Sequence, residues 1–404
     1  MKYDVIVVGA GPAGSTAAKC LAEKGIKVAL IDKKKFPRDK PCGGGLPTRV
    51  LKRFPYTVDL IDSISYGSIT YSSSLRYKFK IMRDKPLIAT ILRKHFDNGL
   101  VKIALAKGVD FLENKTVKDI KIEDGKAAVI FDDGTQLESH IIIGADGVRS
   151  IIADKANLAK KTDDICLCIL EEQQMSEKQL DKLFSDKRVV HIFIKTRGIS
   201  GYGWVFPKKN YLNIGIGEFE TGNNGTKPKT NLKEVFDKYI EILKNKKILP
   251  KNFTIKNLQG GTLPIFPLQK TYSDRILLCG DAAGFINPIT GEGIYYAMVS
   301  GEIAANISAK ALENGDASEK VLSEYQKIWQ NDFGKDLKIL GKFNKHWKQD
   351  TEKIVRRLTK DKTLAKLIIG VTGGQISVSR YELLLYIRYI YVTIKEFITR
   401  DRID

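Results

Sequence analysis

Several residue types are scarce, and each scarcity excludes a class of protein. The 404 residues include five cysteines, Cys20, Cys42, Cys166, Cys168 and Cys279, odd in number and scattered. That usage argues against a disulfide framework and for a reducing compartment, so a cytoplasmic location is expected. Cys166-Leu167-Cys168 lacks metal-ligand spacing and has no histidine pair nearby. It reads as part of a strand, and no metal site is expected. The four histidines, His95, His140, His191 and His346, fall outside every motif; they are read as structural or exposed. No apolar run approaches the ~20 residues of a membrane span. The first strand begins at once, so no secretory leader is read ahead of it. No internal repeat and no nucleic-acid motif is found, and nucleic acid is not expected as a partner. Acidic residues are also in deficit, 47 against 67 basic, for a net charge of +20. Such a surplus suits acidic electron-transfer proteins or anionic lipid, or it is simply a lysine-rich composition.

What is present begins at Tyr3. Val5-Ile6-Val7-Val8 is a short, wholly apolar, β-branched run, the pattern of a strand buried on both faces. Gly9, Gly11 and Gly14 follow at G-x-G-x-x-G spacing. Gly9 allows a tight turn, Gly11 lets backbone approach a pyrophosphate, and Gly14 lets the next helix pack against the strand. A helix is predicted from Ala13 to Lys24, with Gly25 as its C-terminal cap. A second buried strand, Val28 to Ile31, ends in Asp32. This acid lies roughly 20 residues past Gly14, the place of a ribose-binding carboxylate. Strand, helix, strand and acid in register predict a dinucleotide site.

The chain is long enough for two or three domains. A basic loop, Lys33 to Lys40, leads into Pro41-Cys42-Gly43-Gly44-Gly45. Three consecutive glycines call for positive φ or for close approach to something flat. Ser68 to Ile81 alternates as a strand pair. A helix opens near Arg93 and runs to about Lys107, and Val109 to Phe111 resumes a strand. Ala127 to Phe131 with Asp132-Asp133-Gly134 reads as a hairpin. Ile141-Ile142-Ile143 is a third buried strand, ending in Gly144-Ala145-Asp146-Gly147. From Asn157 to Phe253 the βαβ rhythm stops and amphipathic strands take over, with a Gly- and Asn-rich loop at 221–230. Ile276 to Asp281 returns to buried strand. The expected organisation is α/β, α+β overall. A Rossmann-type cofactor domain (1–64, 85–160, 257–314) carries an inserted antiparallel substrate domain (65–84, 161–256). A helical C-terminal region covers 315–404.

Four separated pieces suit one ligand. The opening glycines and Asp32 take an ADP half, and Arg93 offers a cation to the pyrophosphate. Gly144 to Gly147 is a strand-end turn open to close backbone approach. Gly280-Asp281-Ala282-Ala283-Gly284 puts a carboxylate at a strand end, where ribityl hydroxyls can donate to it. Gly291-Glu292-Gly293 then starts a helix at Ile294, whose N-terminus carries about half a positive charge. These residues resemble the FAD-containing reductases and hydroxylases of the p-hydroxybenzoate-hydroxylase fold, over most of residues 1–315. Two stretches choose the branch. Pro41-Cys42-Gly43-Gly44-Gly45 resembles the P-x-C-G-G loop of geranylgeranyl reductases, and Tyr202-Gly203-Trp204-Val205-Phe206-Pro207 resembles their Y-x-W-x-F-P motif. Flavin-dependent halogenases carry tryptophan at both aromatic positions of the corresponding motif, and Tyr202 argues against that branch.

The resemblance implies FAD as cofactor. It implies cofactor contacts at Gly9, Gly11, Ala13, Gly14, Asp32, Lys33, Cys42, Gly43, Gly44, Arg93, Asp146, Gly280, Asp281, Gly291, Gly293 and Ile294. Prenyl-chain contacts are implied at Tyr202, Trp204, Phe206 and Gly215. The three aromatics share one strand face, and Asn213, Gly215 and Gly217 on the returning strand share a face with almost no bulk. That pairing reads either as a wall beside space for a long apolar chain or as ordinary sheet core. The implied reaction is reduction of isolated C=C bonds in geranylgeranyl chains of ether lipids, with a reduced donor, ferredoxin or NAD(P)H, supplying electrons. Such an alkene needs a proton as well as a hydride. Cys42, the only titratable residue of its loop, reads equally as the proton donor or as a loop-shaping residue. A monooxygenase or dehydrogenase on another apolar substrate is the alternative, and a lipid-carrying flavoprotein is a third. The tail, Tyr381 to Ile394, reads either as a helix on the core or as a peripheral membrane contact, with Arg388, Lys395, Arg400 and Arg402 at anionic headgroups.

Overall fold

Short β-branched runs build the first sheet. The computed structural model describes residues 2–159, 165–219, 231–347 and 351–400. Val5–Val8 is fully buried and pairs in parallel with Val28–Asp32 on one side and Ile141–Gly144 on the other. Asp110–Glu113 extends the sheet beyond Val28–Asp32, and Ile276–Leu278 extends it beyond Ile141–Gly144. A two-residue strand, Tyr272–Ser273, closes that edge antiparallel. Helix Pro12–Ala22 ends short of the predicted Lys24, capped by Glu23, and Gly25 takes φ +76° in the turn that follows. It packs against helix Ile294–Glu313 at short range, since a Cβ on Gly301 would lie 2.3 Å from the Ala13 carbonyl oxygen. A three-stranded antiparallel sheet, Val117–Glu123, Lys126–Phe131 and Gln136–Ser139, contains the predicted hairpin. These elements belong to one compact unit, Met1–Lys40, Leu92–Ile165 and Thr262–Leu337.

The second unit takes Pro41–Ile91, Cys166–Gly261 and Lys338–Asp404. Its seven-stranded sheet runs Leu258–Pro264, Ile165–Gln174, Tyr211–Glu218, Gly201–Pro207, Val190–Ile194, Gly67–Tyr71, Lys78–Met82. Cys166 and Cys168 lie in the second of these strands, as read. Because side chains alternate across a sheet, Val205, Ile214 and Ile216 point to one face. There helix Leu232–Asn245 covers them with Phe236, Tyr239, Ile240 and Leu243. Tyr202, Trp204 and Phe206 point to the other. The 221–230 loop lies outside the described residues. His191 is buried beside Tyr71, 3.3 Å from its hydroxyl, and burial draws its pKa down to about 4. His95 is exposed and His140 half-buried; the His346 side chain lies outside the described residues.

The C-terminal helices Thr351–Lys360, Lys362–Thr372 and Val378–Arg400 enclose a small core of Ile354, Leu358, Leu364, Ala365 and Val392. Glu352 ties the first of them to the sheet by accepting from the hydroxyls of Ser72 and Ser73. The last helix buries one stripe and leaves another open. Leu383 is 73% exposed and Phe397 70%, and Ile387, Ile390 and Ile394 are exposed between them at helical spacing. Among the described residues no helix is long and apolar enough to cross a membrane.

Candidate active site

The opening turn has the geometry that its glycines foretell. Gly9 takes φ +102°, and a Cβ there would meet the Ala145 carbonyl oxygen at 2.3 Å. The turn therefore rests directly on the second strand-end turn, Gly144 to Gly147. A Cβ on Gly14 would meet the Gly9 carbonyl oxygen at 1.8 Å. Gly11 is different: only Arg38 comes within 4 Å of its Cβ position, at 3.8 Å. Gly11 caps helix Pro12–Ala22 without a side chain, and no acid stands in the first turn. The helix thus presents unpaired N–H groups and a positive dipole end to open space, which suits a pyrophosphate. Asp32 holds the frame of this turn, accepting from Ala10 N at 2.8 Å and from Lys34 N at 2.9 Å. Lys33 beside it is exposed.

The cation expected at the pyrophosphate belongs to an ion-pair cluster that brings a second arginine to the turn. Arg93 is buried, and Asp97 holds its guanidinium two-pronged, at 2.8 and 2.7 Å. Arg38 shares the same carboxylate at 2.8 Å and reaches the Gly11 turn. Burial pushes the Asp97 carboxyl up, but Arg93 and Arg38 outweigh it and hold it below the usual range. Two guanidinium groups on one carboxylate leave a net positive charge, and Arg38 brings it to the turn. Sequence reading missed Arg38 because it sits in a basic loop with no pattern to single it out. Asp146 also takes a different part. It accepts from the Ser150 hydroxyl at 2.5 Å and Ile151 N at 2.7 Å, fastening the start of helix Ile151–Lys155. Burial raises its pKa against those bonds.

The third strand-end turn packs on the first helix. Gly280 takes φ +59°, and a Cβ there would lie 3.2 Å from those of Ala13 and Ala297. Asp281 pairs with Lys40 at 3.5 Å. Gly291 takes φ +67° in a turn that Asn287 organises, its side-chain oxygen accepting from Ile289 N and Thr290 N. Gly293 then caps helix Ile294–Glu313, again without a side chain, and Ile294 is buried behind it. The first unit therefore offers an uncapped helix end at Gly11, a second helix end at Gly293 where Glu292 already accepts from Tyr295 N at 2.7 Å, a strand-end carboxylate and a cation. These groups fit FAD: an anionic pyrophosphate at Gly11 and Arg38, a ribose at Asp32, and an electron-rich flavin edge at Gly293.

In the second unit the Cys42 loop and the aromatic strand form one structure. A Cβ on Gly43 would lie 3.1 Å from the Trp204 indole nitrogen, and one on Gly45 would lie 3.0 Å from the Phe206 ring. The flat thing that the glycines approach is thus this pair of rings, and Gly44 takes φ +74°. The Cys42 sulfur accepts from Gly44 N at 3.3 Å. Tyr202 stacks on Phe219, ring centres 5.9 Å apart, and burial holds its phenol well above the usual range. The expected empty face beside the wall is a correction. A Cβ on Gly215 would lie 2.1 Å from the Trp204 ring. The indole itself fills the glycine-lined space, and Trp204 is only 5% exposed. Behind it stand Asn213, Glu172 and Lys208, whose joint role sequence spacing does not reveal.

Residues 2–331 match the FAD-binding domain family. The chain is 32% identical over 333 residues to the digeranylgeranylglycerophospholipid reductase of Methanocaldococcus jannaschii, covering 81% of this chain and 82% of that one. It is 33% identical over 341 residues to an uncharacterised protein of Methanosarcina barkeri, covering 84% and 82%. Among solved structures, a geranylgeranyl bacteriochlorophyll reductase-like protein of Thermoplasma acidophilum superposes with TM-score 0.80 at 26% identity, over 95% of this chain and 99% of that one. A halogenase in complex with FAD superposes with TM-score 0.65 at 16% identity, over 84% and 76%, a likeness of fold alone. With the Gly11 turn in place for a pyrophosphate, the cofactor is FAD, and the chain belongs to the FAD-binding flavoprotein family that includes the digeranylgeranylglycerophospholipid reductases.

Proposed function

We propose that this chain reduces isolated C=C bonds of geranylgeranyl chains on ether phospholipids. The observation that carries the reading is the Cys-Gly-Gly-Gly loop seated on Trp204 and Phe206. It joins the two stretches of the second unit that distinguish prenyl reductases from other flavoproteins of this fold. The M. jannaschii relative is named for the corresponding lipid. Bound FAD, once reduced, supplies the hydride. The chain's own residues supply the rest. Gly11 and Arg38 hold the pyrophosphate, Asp32 the ribose, and Asp281 the ribityl chain. The helix end at Gly293 favours the charge of the reduced ring. Tyr202 and Phe206, both half-buried, offer apolar surface to the prenyl chain. An isolated alkene has no carbonyl to polarise, so a proton must reach the second carbon. Cys42 supplies it: its sulfur accepts from Gly44 N, which leaves the S–H free to point away from the loop.

The lipid lies in a bilayer, and the open face of helix Val378–Arg400 is the docking surface. Its exposed apolar side chains suit insertion at the headgroup boundary, and the net charge of +20 suits an anionic surface. One expected headgroup contact changes. Arg388 is bound two-pronged by Asp361, at 3.1 and 2.6 Å, and does not reach outward. Lys395 is exposed, and the side chains of Arg400 and Arg402 lie outside the described residues. Electrons come from reduced ferredoxin or NAD(P)H; the basic surface favours the acidic protein donor.

The test is anaerobic incubation of dithionite-reduced holoprotein with a geranylgeranyl phospholipid, followed by mass measurement. A gain of two hydrogens per double bond is expected. An unchanged lipid mass overturns the reading, and in a parallel aerobic incubation oxygen consumption with an oxygenated product assigns the chain to hydroxylation instead.

A further inference from the structure

We propose that Asn213, braced by the ion pair of buried Lys208 with half-buried Glu172, is the positioning residue of the Cys42 loop. Three consecutive glycines give that loop wide conformational freedom, so something must select one conformation. A closed ring of contacts does so. Asn213 is wholly buried, and its Nδ2 donates to the Cys42 carbonyl at 3.0 Å and to Glu172 Oε1 at 2.9 Å. Its Oδ1 accepts from the Trp204 indole N–H at 2.8 Å. Lys208 is 1% exposed, forms an ion pair with Glu172, and donates to the Ile91 carbonyl at 2.7 Å. Ile91 N in turn donates to the Gly44 carbonyl at 2.9 Å. Both ends of Cys42-Gly43-Gly44 are thus fastened to one network. Gly44 closes it: a Cβ there would lie 2.2 Å from the Ile91 oxygen and 2.7 Å from Lys208 Nζ.

A role in stability alone does not account for this arrangement. Burying a charge is costly, and an ion pair taken out of water is often no more stable than an apolar pair of similar volume, yet this sheet face keeps Lys208 wholly buried against half-buried Glu172 beneath the glycine loop. One amide ties the loop, the aromatic wall and the ion pair together, so the network sets where Cys42 and Trp204 stand relative to one another. The consequence for turnover rests on the proposed reductase reading; the consequence for the loop does not.

The experiment compares the FAD-loaded full chain with Asn213→Ala, Asn213→Asp and the double variant Glu172→Leu/Lys208→Met. It reads the rate of iodoacetamide alkylation at Cys42 by peptide mass spectrometry, with Cys20 as an internal control. All three variants release the loop, so Cys42 alkylation rises about fivefold or more, the weight of one net hydrogen bond in an equilibrium. Cys20 is unmoved. With prenyl lipid, kcat falls about tenfold or more while KM stays within about threefold, because a misplaced proton donor slows the chemistry and not the binding. Asn213→Asp is isosteric and keeps the acceptor for Trp204, while it removes the donor to Cys42 and to Glu172 and sets a second carboxylate against Glu172. The double variant removes both charges together and is expected to melt near the parent. It therefore stands in if an Asn213 variant does not fold. Cys42 alkylation within about twofold of the parent in a folded variant overturns the proposal. Raised alkylation in a protein that reduces no lipid upholds the positioning role and sinks the reductase reading instead.

Discussion

Two glycines, one in each unit, serve opposite ends. In the first, Gly11 leaves its surroundings open, with only the tip of Arg38 within 4 Å of its Cβ position. In the second, Gly215 is covered by the Trp204 ring and Gly203 by the Tyr239 ring, with Cβ contacts of 2.1 and 2.7 Å. Both kinds leave a gap in the sequence pattern. One gap is kept for a ligand and the other is filled by the protein. What separates them is the neighbour. Gly11 stands at an uncapped helix end, where no side chain can satisfy the N–H groups. Gly215 stands directly across from an indole in an antiparallel pair, register Trp204 to Gly215.

The largest effect expected from breaking this contrast is at Gly11. Gly11→Val places its side chain in space that no other part of the chain occupies, so the apo fold stays intact. The pyrophosphate loses its place, and the purified protein is colourless. Absorbance near 450 nm against protein concentration measures this, and a full complement of FAD would contradict the site. Gly215→Val is the converse. It forces a side chain into the indole, and overpacking of this kind costs about 1–3 kcal/mol. The melting temperature falls while FAD is retained, and thermal unfolding of the two variants side by side separates the classes. If Gly215→Val melted like the parent, the Trp204 ring would have room to move and the space would be a substrate site after all.

Much of the first unit was legible because its signals are local. Strand run, glycine spacing, helix and terminal acid follow each other from Val5 to Asp32, and the structure reproduces each. The exceptions involve pairings distant in sequence. Asp97 takes not only Arg93, one turn away on the same helix, but also Arg38 from a distant loop, and nothing in the sequence spacing brings Arg38 to Gly11. The same holds for the second unit. Tyr202, Trp204 and Phe206 share a face by the period of two, but which way the Trp204 ring lies depends on Asn213 and Gly215. The compact units change over at Lys40/Pro41, Ile91/Leu92, Ile165/Cys166, Gly261/Thr262 and Leu337/Lys338, beside breaks read from the sequence after 64, 84, 160, 256 and 314. The loop at Cys42 packs on the antiparallel strand, and helix Glu319–Trp329 docks on the parallel sheet by Trp329 donating to Thr271. Neither contact has a local signal.

A smaller effect sharpens the role of the loop. Cys42→Ser preserves size and the acceptor for Gly44 N, so FAD content and flavin reduction stay unchanged. The serine hydroxyl is a far weaker acid, and alkene reduction slows by at least about tenfold, the usual contribution of a general acid. Single-turnover mixing of the reduced variant with lipid isolates that step from reduction. Unchanged turnover would leave Cys42 with loop shaping alone, and the proton would have to come from another group.

The smallest effect concerns a third surface, neither filled by the protein nor kept for the cofactor. Helix Val378–Arg400 leaves Leu383, Ile387, Ile390, Ile394 and Phe397 exposed along one face, while Val392 and Glu396 on the other are buried. If the open face meets a bilayer, Ile387→Asp with Ile390→Asp abolishes sedimentation with anionic vesicles and leaves FAD bound. Binding of the parent weakens as salt rises, because headgroup attraction is screened over about 10 Å at 0.1 M. Arg388 provides the finer discrimination. A basic side chain at the headgroups is worth about 1 kcal/mol, or about fivefold in binding. Asp361 already holds the Arg388 charge, so Arg388→Gln changes vesicle binding by less than that. A fivefold loss on Arg388→Gln would mean that the pair opens at the membrane and that the arginine turns to the lipid. Equal sedimentation of the parent with neutral and anionic vesicles, or none with either at low salt, would remove the membrane from the account. The apolar face would then await a protein partner.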